Sequence, residues 1–304
     1  MEHNDSAETS LVRRHDFDCD GPIDIWVEIG GGRLEITLEE SSAGAAGVSV
    51  QVRPDPAGQP WGIGFAGLLG WLGHPVGAAP PGEPGPQAVR RTLVEFTGRR
   101  LTVHTPREFP LHIVPVIIQV RAPAGSSITA RSGAADVVIT GEAATLHIMS
   151  GSGEVRAQQC TGDAEIRTGS GDVRVGTVQG RLRVRTGSGT VDVSSLQGSG
   201  KSVVKTGSGD VRLGAVKHDI SARTGSGDLT VADACAGGLD LTTGSGQLRV
   251  GIHAGVRAEV DVSSGCGNAR SDLPLSGPPA EGEVPLRVRA RTGSGDALVT
   301  SASS

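Results

Sequence analysis

Residues 168–175 read Thr-Gly-Ser-Gly-Asp-Val-Arg-Val, residues 186–193 read Thr-Gly-Ser-Gly-Thr-Val-Asp-Val, and residues 206–213 read Thr-Gly-Ser-Gly-Asp-Val-Arg-Leu. The first glycine of this unit falls at Gly151, Gly169, Gly187, Gly207, Gly225, Gly244, Gly265 and Gly293, in steps of 18, 18, 20, 18, 19, 21 and 28. A degenerate copy, Arg131-Ser132-Gly133, lies 18 residues further upstream. Repetition at such a period marks an architecture in which each unit covers the apolar face of the next.

Each unit holds two runs of alternating apolar and polar residues. One follows the glycines, as in Asp172-Val173-Arg174-Val175; the other precedes the next glycines, as in Arg181-Leu182-Arg183-Val184-Arg185. Alternation over four to six residues between glycine turns is a strand signal, and helical spacing is absent here. Aligning the units puts Val173, Val191, Val211, Leu229 and Leu248 in one inward row and Val175, Val193, Leu213, Val231 and Val250 in another. Arg174, Asp192, Arg212, Thr230 and Arg249 form an outward row between them. A mostly basic row precedes the turn (Arg167, Arg185, Lys205, Arg223, Thr242), and a mostly acidic row follows it (Asp172, Thr190, Asp210, Asp228, Gln247). In-register rows predict an all-β fold: a parallel β-solenoid with two short strands per 18–21-residue coil. A meander of antiparallel hairpins would also alternate, but it does not require every second strand to be a copy.

Composition agrees. The 304 residues include 47 Gly, no Tyr and only 2% aromatics, so aliphatic side chains must fill a thin interior between closely spaced sheets. At the corners glycine supplies either positive φ or close backbone approach, and the neighbouring Thr and Ser hydroxyls can bond along the stack. The 28-residue final step contains Asp272 to Glu283, rich in Pro and Gly, and reads as a loop bulging from one coil.

Three regions follow. Residues 1–12 are a polar tail, residues 13–120 a less regular β region that caps the stack, and residues 121–304 the solenoid. Candidate strands in the cap region are Ile23 to Ile29, Arg33 to Leu38, Val48 to Val52, Arg91 to Phe96, Arg100 to Val103 and Ile113 to Val120. An insertion over 54–87 interrupts them. Its uncharged centre carries Trp61, Ile63, Phe65, Leu68, Leu69, Trp71 and Leu72. This run is too short and glycine-rich for a spanning helix. It reads either as a fold-back cap or as a candidate interaction loop for a protein partner or a membrane surface.

The chemistry-bearing motifs are weak. Gly198-Ser199-Gly200-Lys201-Ser202 lacks the leading glycine of a phosphate-binding loop and runs into Val203-Val204, a strand rather than a helix. The Gly-Ser-Gly-Asp turns have twice the period of calcium β-rolls, and Thr190 and Gln247 replace two of the aspartates. The histidines show no metal spacing in the linear sequence, and His112 and His147 fall in strand-like runs as structural residues. Asp172, Asp210 and Asp228 could imitate the carboxylates of a β-helix enzyme, but neighbouring basic residues suggest surface pairing instead. No catalytic, cofactor-binding or metal residue is predicted.

The net charge of −5 gives no footprint for nucleic acid. Cys19, Cys160, Cys235 and Cys266 lie far apart without a C-x-x-C pair, as expected of reduced thiols in the cytoplasm. The polar start shows no basic stretch followed by an apolar one, so no signal peptide is expected.

The Thr-Gly-Ser-Gly-Asp-Val ladder from Gly151 to Gly295 resembles the bacterial adhesin-like β-strand-repeat family of unknown function called DUF4097, over roughly residues 15 to 304. The resemblance implies a β-solenoid without assigned catalytic residues, and some relatives belong to envelope-stress systems. The expectation is therefore a non-catalytic scaffold or protein-interaction module, cytoplasmic, needing no cofactor and able to associate end to end. A surface adhesin and a carbohydrate-active β-helix enzyme are the alternatives.

Overall fold

The computed structural model describes residues 11–40, 47–56, 84–273 and 285–302. Among the described residues, 24 strands join into one hydrogen-bonded sheet that winds round a central axis. Coil by coil, Val155–Cys160 pairs in parallel with Val173–Val178, which pairs with Val191–Leu196, then Val211–Val216, Leu229–Ala234 and Leu248–Ile252. The opposite face stacks Ala164–Thr168, Leu182–Thr186, Ser202–Thr206, Ile220–Thr224 and Gly237–Thr243 in the same sense. The chain therefore winds and does not zigzag. The register is the predicted one: Val173 lies on Val191, Val191 on Val211, Val211 on Leu229, and Leu229 on Leu248.

The interior is a double row of aliphatic side chains facing each other across the coil. Val173, Val191, Val211 and Leu229 are fully buried, as are Leu182, Val184, Val204 and Ile220. Each such side chain stabilises the fold by about 1.5–3 kcal/mol relative to an exposed one, and none of it is available until the neighbouring coil is in place.

The Thr-Gly-Ser-Gly corner is held by its threonine. The buried Oγ1 of Thr206 accepts the Gly209 N–H at 3.1 Å and donates to the Gly189 carbonyl of the preceding coil at 3.3 Å. Thr224, Thr243 and Thr292 repeat both bonds. The corner glycines serve close approach rather than positive φ: a Cβ on Gly189 would lie 2.0 Å from the Gly171 carbonyl oxygen, and one on Gly209 would lie 1.9 Å from that of Gly189.

Both ends of the stack depart from simple winding. At the C-terminal end, Leu286–Thr292 pairs with Gly237–Thr243 on one side and with Ala258–Ser264 on the other. Ala297–Ser301 likewise lies between Leu248–Ile252 and Ala269–Ser271. The last coil of the chain is thus inserted one rung inward, and the segment before it becomes the outermost rung. The long final step therefore joins the outermost rung to one further inward; most of the loop expected over Asp272 to Glu283 lies outside the described residues. Charge gives a physical reason. Arg289 sits in register with Asp240 on one side and Asp261 on the other, 3.5 Å from the Asp261 carboxylate. Stacking in chain order would instead put Asp261 on Asp240. The inserted coil is also the more apolar, with Leu286, Val288 and Ala290 buried where Ala258, Val260 and Val262 are only half-buried.

The N-terminal end is threaded in the same way. Asp24–Ile29 lies between Arg100–His104 and Ser126–Ser132, and Gly31–Glu39 lies between Pro115–Pro123 and the start of Asp136–Ser150. Antiparallel strands then close the exposed edges. Arg13–Asp18 pairs with Gly47–Pro54, which pairs with Pro115–Pro123, while Leu93–Thr97 pairs with Arg100–His104. A helix, Pro84–Arg91, occupies part of the stretch where a strand from Arg91 was expected; that strand starts at Leu93. The Arg13 guanidinium ends the helix by donating to the carbonyls of Val89, Arg90 and Thr92 at 2.8–2.9 Å. His112 lies in a short 3-10 turn, Leu111–Ile113, rather than in a strand.

Candidate functional site

The outward rows are the repeated chemical feature of the molecule. Arg167, Arg185, Lys205 and Arg223 occupy consecutive rungs of one face, one coil spacing of about 4.8 Å apart. Arg167 is paired with Glu165 at 2.6 Å and Arg223 with Asp240 at 3.3 Å. Among the described residues, no ion pair engages Arg185 or Lys205. Beside this ridge stand Arg183, half a strand away, and Arg181, paired with Asp163 at 2.6 Å. Like charges stacked this closely repel one another, so the ridge is a cost to stability that no internal acid offsets at its centre.

The acidic row has a structural task. Asp172 Oδ1 accepts the Thr190 N–H at 2.8 Å, Asp210 Oδ1 the Asp228 N–H at 2.9 Å, and Asp228 Oδ1 the Gln247 N–H at 2.8 Å. Asp136 and Asp296 do the same for Glu154 and Asn268. Each carboxylate thus satisfies a corner amide one rung away, which leaves one oxygen for an arginine such as Arg212, 3.0 Å from Asp210. At the other corner, Asp163 takes both the backbone N–H and the guanidinium of Arg181, and these bonds hold its carboxyl below the usual range.

A third grouping appears only through stacking. His253 follows Cys235 by one coil, with its N–H donated to Ala234, just as Cys235 donates to Val216. His253 Nδ1 lies 2.9 Å from Asp233 Oδ1, and the Cys235 thiol donates to Asp233 Oδ2 at 3.5 Å. One donor atom from each of the three lies within 4.8 Å of the others. Burial, together with the adjacent Asp233 carboxylate, pushes the Cys235 thiol up, the opposite of what an activated nucleophile needs. The linear sequence hid this grouping because its 18-residue offset means proximity only once the coil register is known. Elsewhere, Cys160 is buried with its thiol pushed up by burial, and His218 is buried against the Ser202 hydroxyl at 2.7 Å.

A family model described as Toastrack DUF4097 matches residues 96–300, more than half of the chain. The chain belongs to the Toastrack DUF4097 family. The match starts within the cap and runs through the inserted last coil, so the threaded C-terminal end lies inside the Toastrack unit. Two solved structures are similar in outline. A "putative adhesin" from Parabacteroides merdae is 10% identical, with 95% of each chain covered and a TM-score of 0.40. A "putative adhesin" from Bacteroides fragilis is 11% identical, covering 96% of this chain and 97% of that one, with a TM-score of 0.38. Likenesses this distant carry no argument about activity. No curated protein matches the chain.

In this Toastrack chain the predicted interaction run, Trp61, Ile63, Phe65, Leu68, Leu69, Trp71 and Leu72, lies outside the described residues. Lys201 is exposed, and the strand Ser202–Thr206 follows it, as the solenoid reading of that turn requires. His147 stands on a strand face 3.9 Å from Glu165, and the buried His112 Nδ1 has no hydrogen-bond partner. No helix among the described residues is long and apolar enough to cross a membrane.

Proposed function

We propose that this Toastrack protein is a non-catalytic scaffold that holds an acidic protein partner against the basic ridge Arg167–Arg185–Lys205–Arg223. The observation that carries this reading is the pair Arg185 and Lys205, stacked in register without an ion-pair partner among the described residues. A rigid row of cations at one coil spacing gains from an acidic surface laid along it, and loses its own repulsion in the same step. The aspartates that could have served a β-helix enzyme are engaged with corner amides one rung away, which supports a structural role for them. Four unpaired thiols, one of them exposed, suit a reducing compartment, and we place the protein in the cytoplasm.

The test is a pull-down from the native host with the wild-type chain and with an R185E/K205E variant, whose melting is checked first. The reading expects an acidic partner retained at low salt, released at high salt and lost from the variant. Recovery of the same partners by the variant would overturn the ridge as the docking face. Fractionation with the protein outside the membrane would favour the adhesin alternative, and glycan turnover lost on changing Asp172, Asp210 or Asp228 would favour the enzyme.

A further inference from the structure

We propose that Asp233, Cys235 and His253 form a binding site for a divalent transition-metal ion of zinc type. The inference does not rest on the scaffold reading; the site sits at the other corner of the coil, after the strand Leu229–Ala234.

The donor set is the first argument. A thiolate, an imidazole and a carboxylate together suit a borderline ion such as Zn2+ rather than Mg2+ or Ca2+, which favour all-oxygen shells. Geometry is the second. Bonds of about 2.0–2.3 Å arranged tetrahedrally place ligand atoms about 3.3–3.8 Å apart. Here Nδ1 and Oδ1 are 2.9 Å apart, Sγ and Oδ2 are 3.5 Å apart, and the donor atoms all fall within 4.8 Å. One ion can therefore reach all three after small side-chain rotations. Preorganisation is the third. Asp233 is the last residue but one of the strand Leu229–Ala234, Cys235 directly follows that strand, and His253 directly follows Leu248–Ile252 and is fixed one rung away by its N–H bond to Ala234. Cys235 and His253 sit at the corner, but each backbone N–H is bonded to the preceding coil, Cys235 to Val216 and His253 to Ala234, so the donors are held before any ion binds.

The chemistry balances simply. The ion replaces the proton that the thiol shares with Asp233 and the proton between His253 and Asp233. The Cys235 proton leaves to solvent, the proton on His253 Nδ1 is exchanged through water for one on the exposed Nε2, and the neutral ring then offers the Nδ1 lone pair. The exposed side of His253 leaves a fourth position for water or for an outside ligand. Lys217 precedes Cys235 by one rung on the same corner, and its charge lies near the thiol. It would favour a thiolate and disfavour an approaching cation, so the net affinity is set by the three ligands against this one charge.

Cobalt titration of the untagged, chelator-treated full chain tests the site. The expected result is one equivalent of Co2+ bound, with a thiolate-to-cobalt charge-transfer band in the near ultraviolet that Zn2+ abolishes by displacement. Cys235→Ser should remove the band, Cys266→Ser should leave it, and His253→Ala and Asp233→Asn should each weaken binding by more than about tenfold, no less than outer-shell losses do. Far-ultraviolet circular dichroism of each variant checks that the coil is intact. Absence of the band in the wild-type chain, or its persistence in Cys235→Ser, would overturn the proposal. Either result leaves the basic-ridge reading untouched.

Discussion

Asp210 Oδ1 accepts the backbone N–H of Asp228, its counterpart one coil further on, at 2.9 Å. The same carboxylate meets Arg212 at 3.0 Å. An outward acidic row therefore works as a ladder of corner bonds as well as a source of charge.

Replacing Asp210 by alanine leaves that corner amide to water. The expected loss is about 1 kcal/mol, that of an ordinary hydrogen bond and below the range for a charged acceptor, because the site is solvent-accessible. Asp210→Asn keeps Oδ1 and should lose less than half as much. Equilibrium urea unfolding of the three chains separates them; equal losses for alanine and asparagine would assign the effect to the Arg212 pair instead.

Close approach at the corners makes a sharper contrast. Gly189→Ala drives a Cβ to 2.0 Å from the Gly171 carbonyl oxygen, a backbone atom held in the stack. The expected cost is at least ~3 kcal/mol, the upper range for overpacking. Gly98 has φ +62, and an added methyl there would meet nothing within 4 Å, so Gly98→Ala should cost only about 1–2 kcal/mol through left-handed strain. A milder effect at Gly189 than at Gly98, read from melting temperatures, would contradict the stacked-corner geometry.

The corner threonine is the third case. Thr206→Val removes the acceptor of the Gly209 N–H and the donor to the Gly189 carbonyl in a buried place. A loss of about 1–3 kcal/mol is expected. Thr206→Ser should be close to neutral, since Ser132, Ser150 and Ser264 hold the equivalent position in other coils. Denaturant midpoints of the two variants provide the check.

Acid should weaken the fold through His218. Burial lowers its pKa from the ordinary value of about 6.5. Between that value and the lower native one, the unfolded chain binds a proton that the native chain refuses, so stability falls as pH falls. The contribution is fully present above about pH 6.5 and declines below it. Urea midpoints at neutral and mildly acidic pH should differ more for the wild-type chain than for His218→Asn. An equal difference would place the acid sensitivity elsewhere.

The rows of the solenoid were legible in the sequence because one fixed period governs both packing and corner chemistry. Val173, Val191 and Val211 had only to be aligned to be stacked. The order of the last rungs was not legible from the period. Its cue was electrostatic: Asp240 and Asp261 align in the repeat, and only a coil carrying Arg289 can separate them. The helix Pro84–Arg91 left a faint signal, a proline at its start and Arg90 and Arg91 in its last turn, on a stretch poor in helix formers. The grouping of Asp233, Cys235 and His253 follows no linear motif, because its proximity comes from the neighbouring rung. The glycine corners were anticipated in kind: at the Thr-Gly-Ser-Gly turn the need is for closeness between backbones, while Gly200 and Gly237 at the other corner have positive φ.

Spin labels test the winding and the inserted coil together. In a chain freed of its own cysteines, one label at position 167 is paired with a second at 291 or at 263. The register counts five rungs from Arg167 to Arg291 and six to Ser263. Dipolar spectroscopy should therefore give backbone separations of about 24 Å for 167–291 and about 29 Å for 167–263, at about 4.8 Å per rung. A shorter distance to 263 than to 291 would mean that the coils stack in chain order, and distances that follow no rung spacing would contradict the solenoid itself.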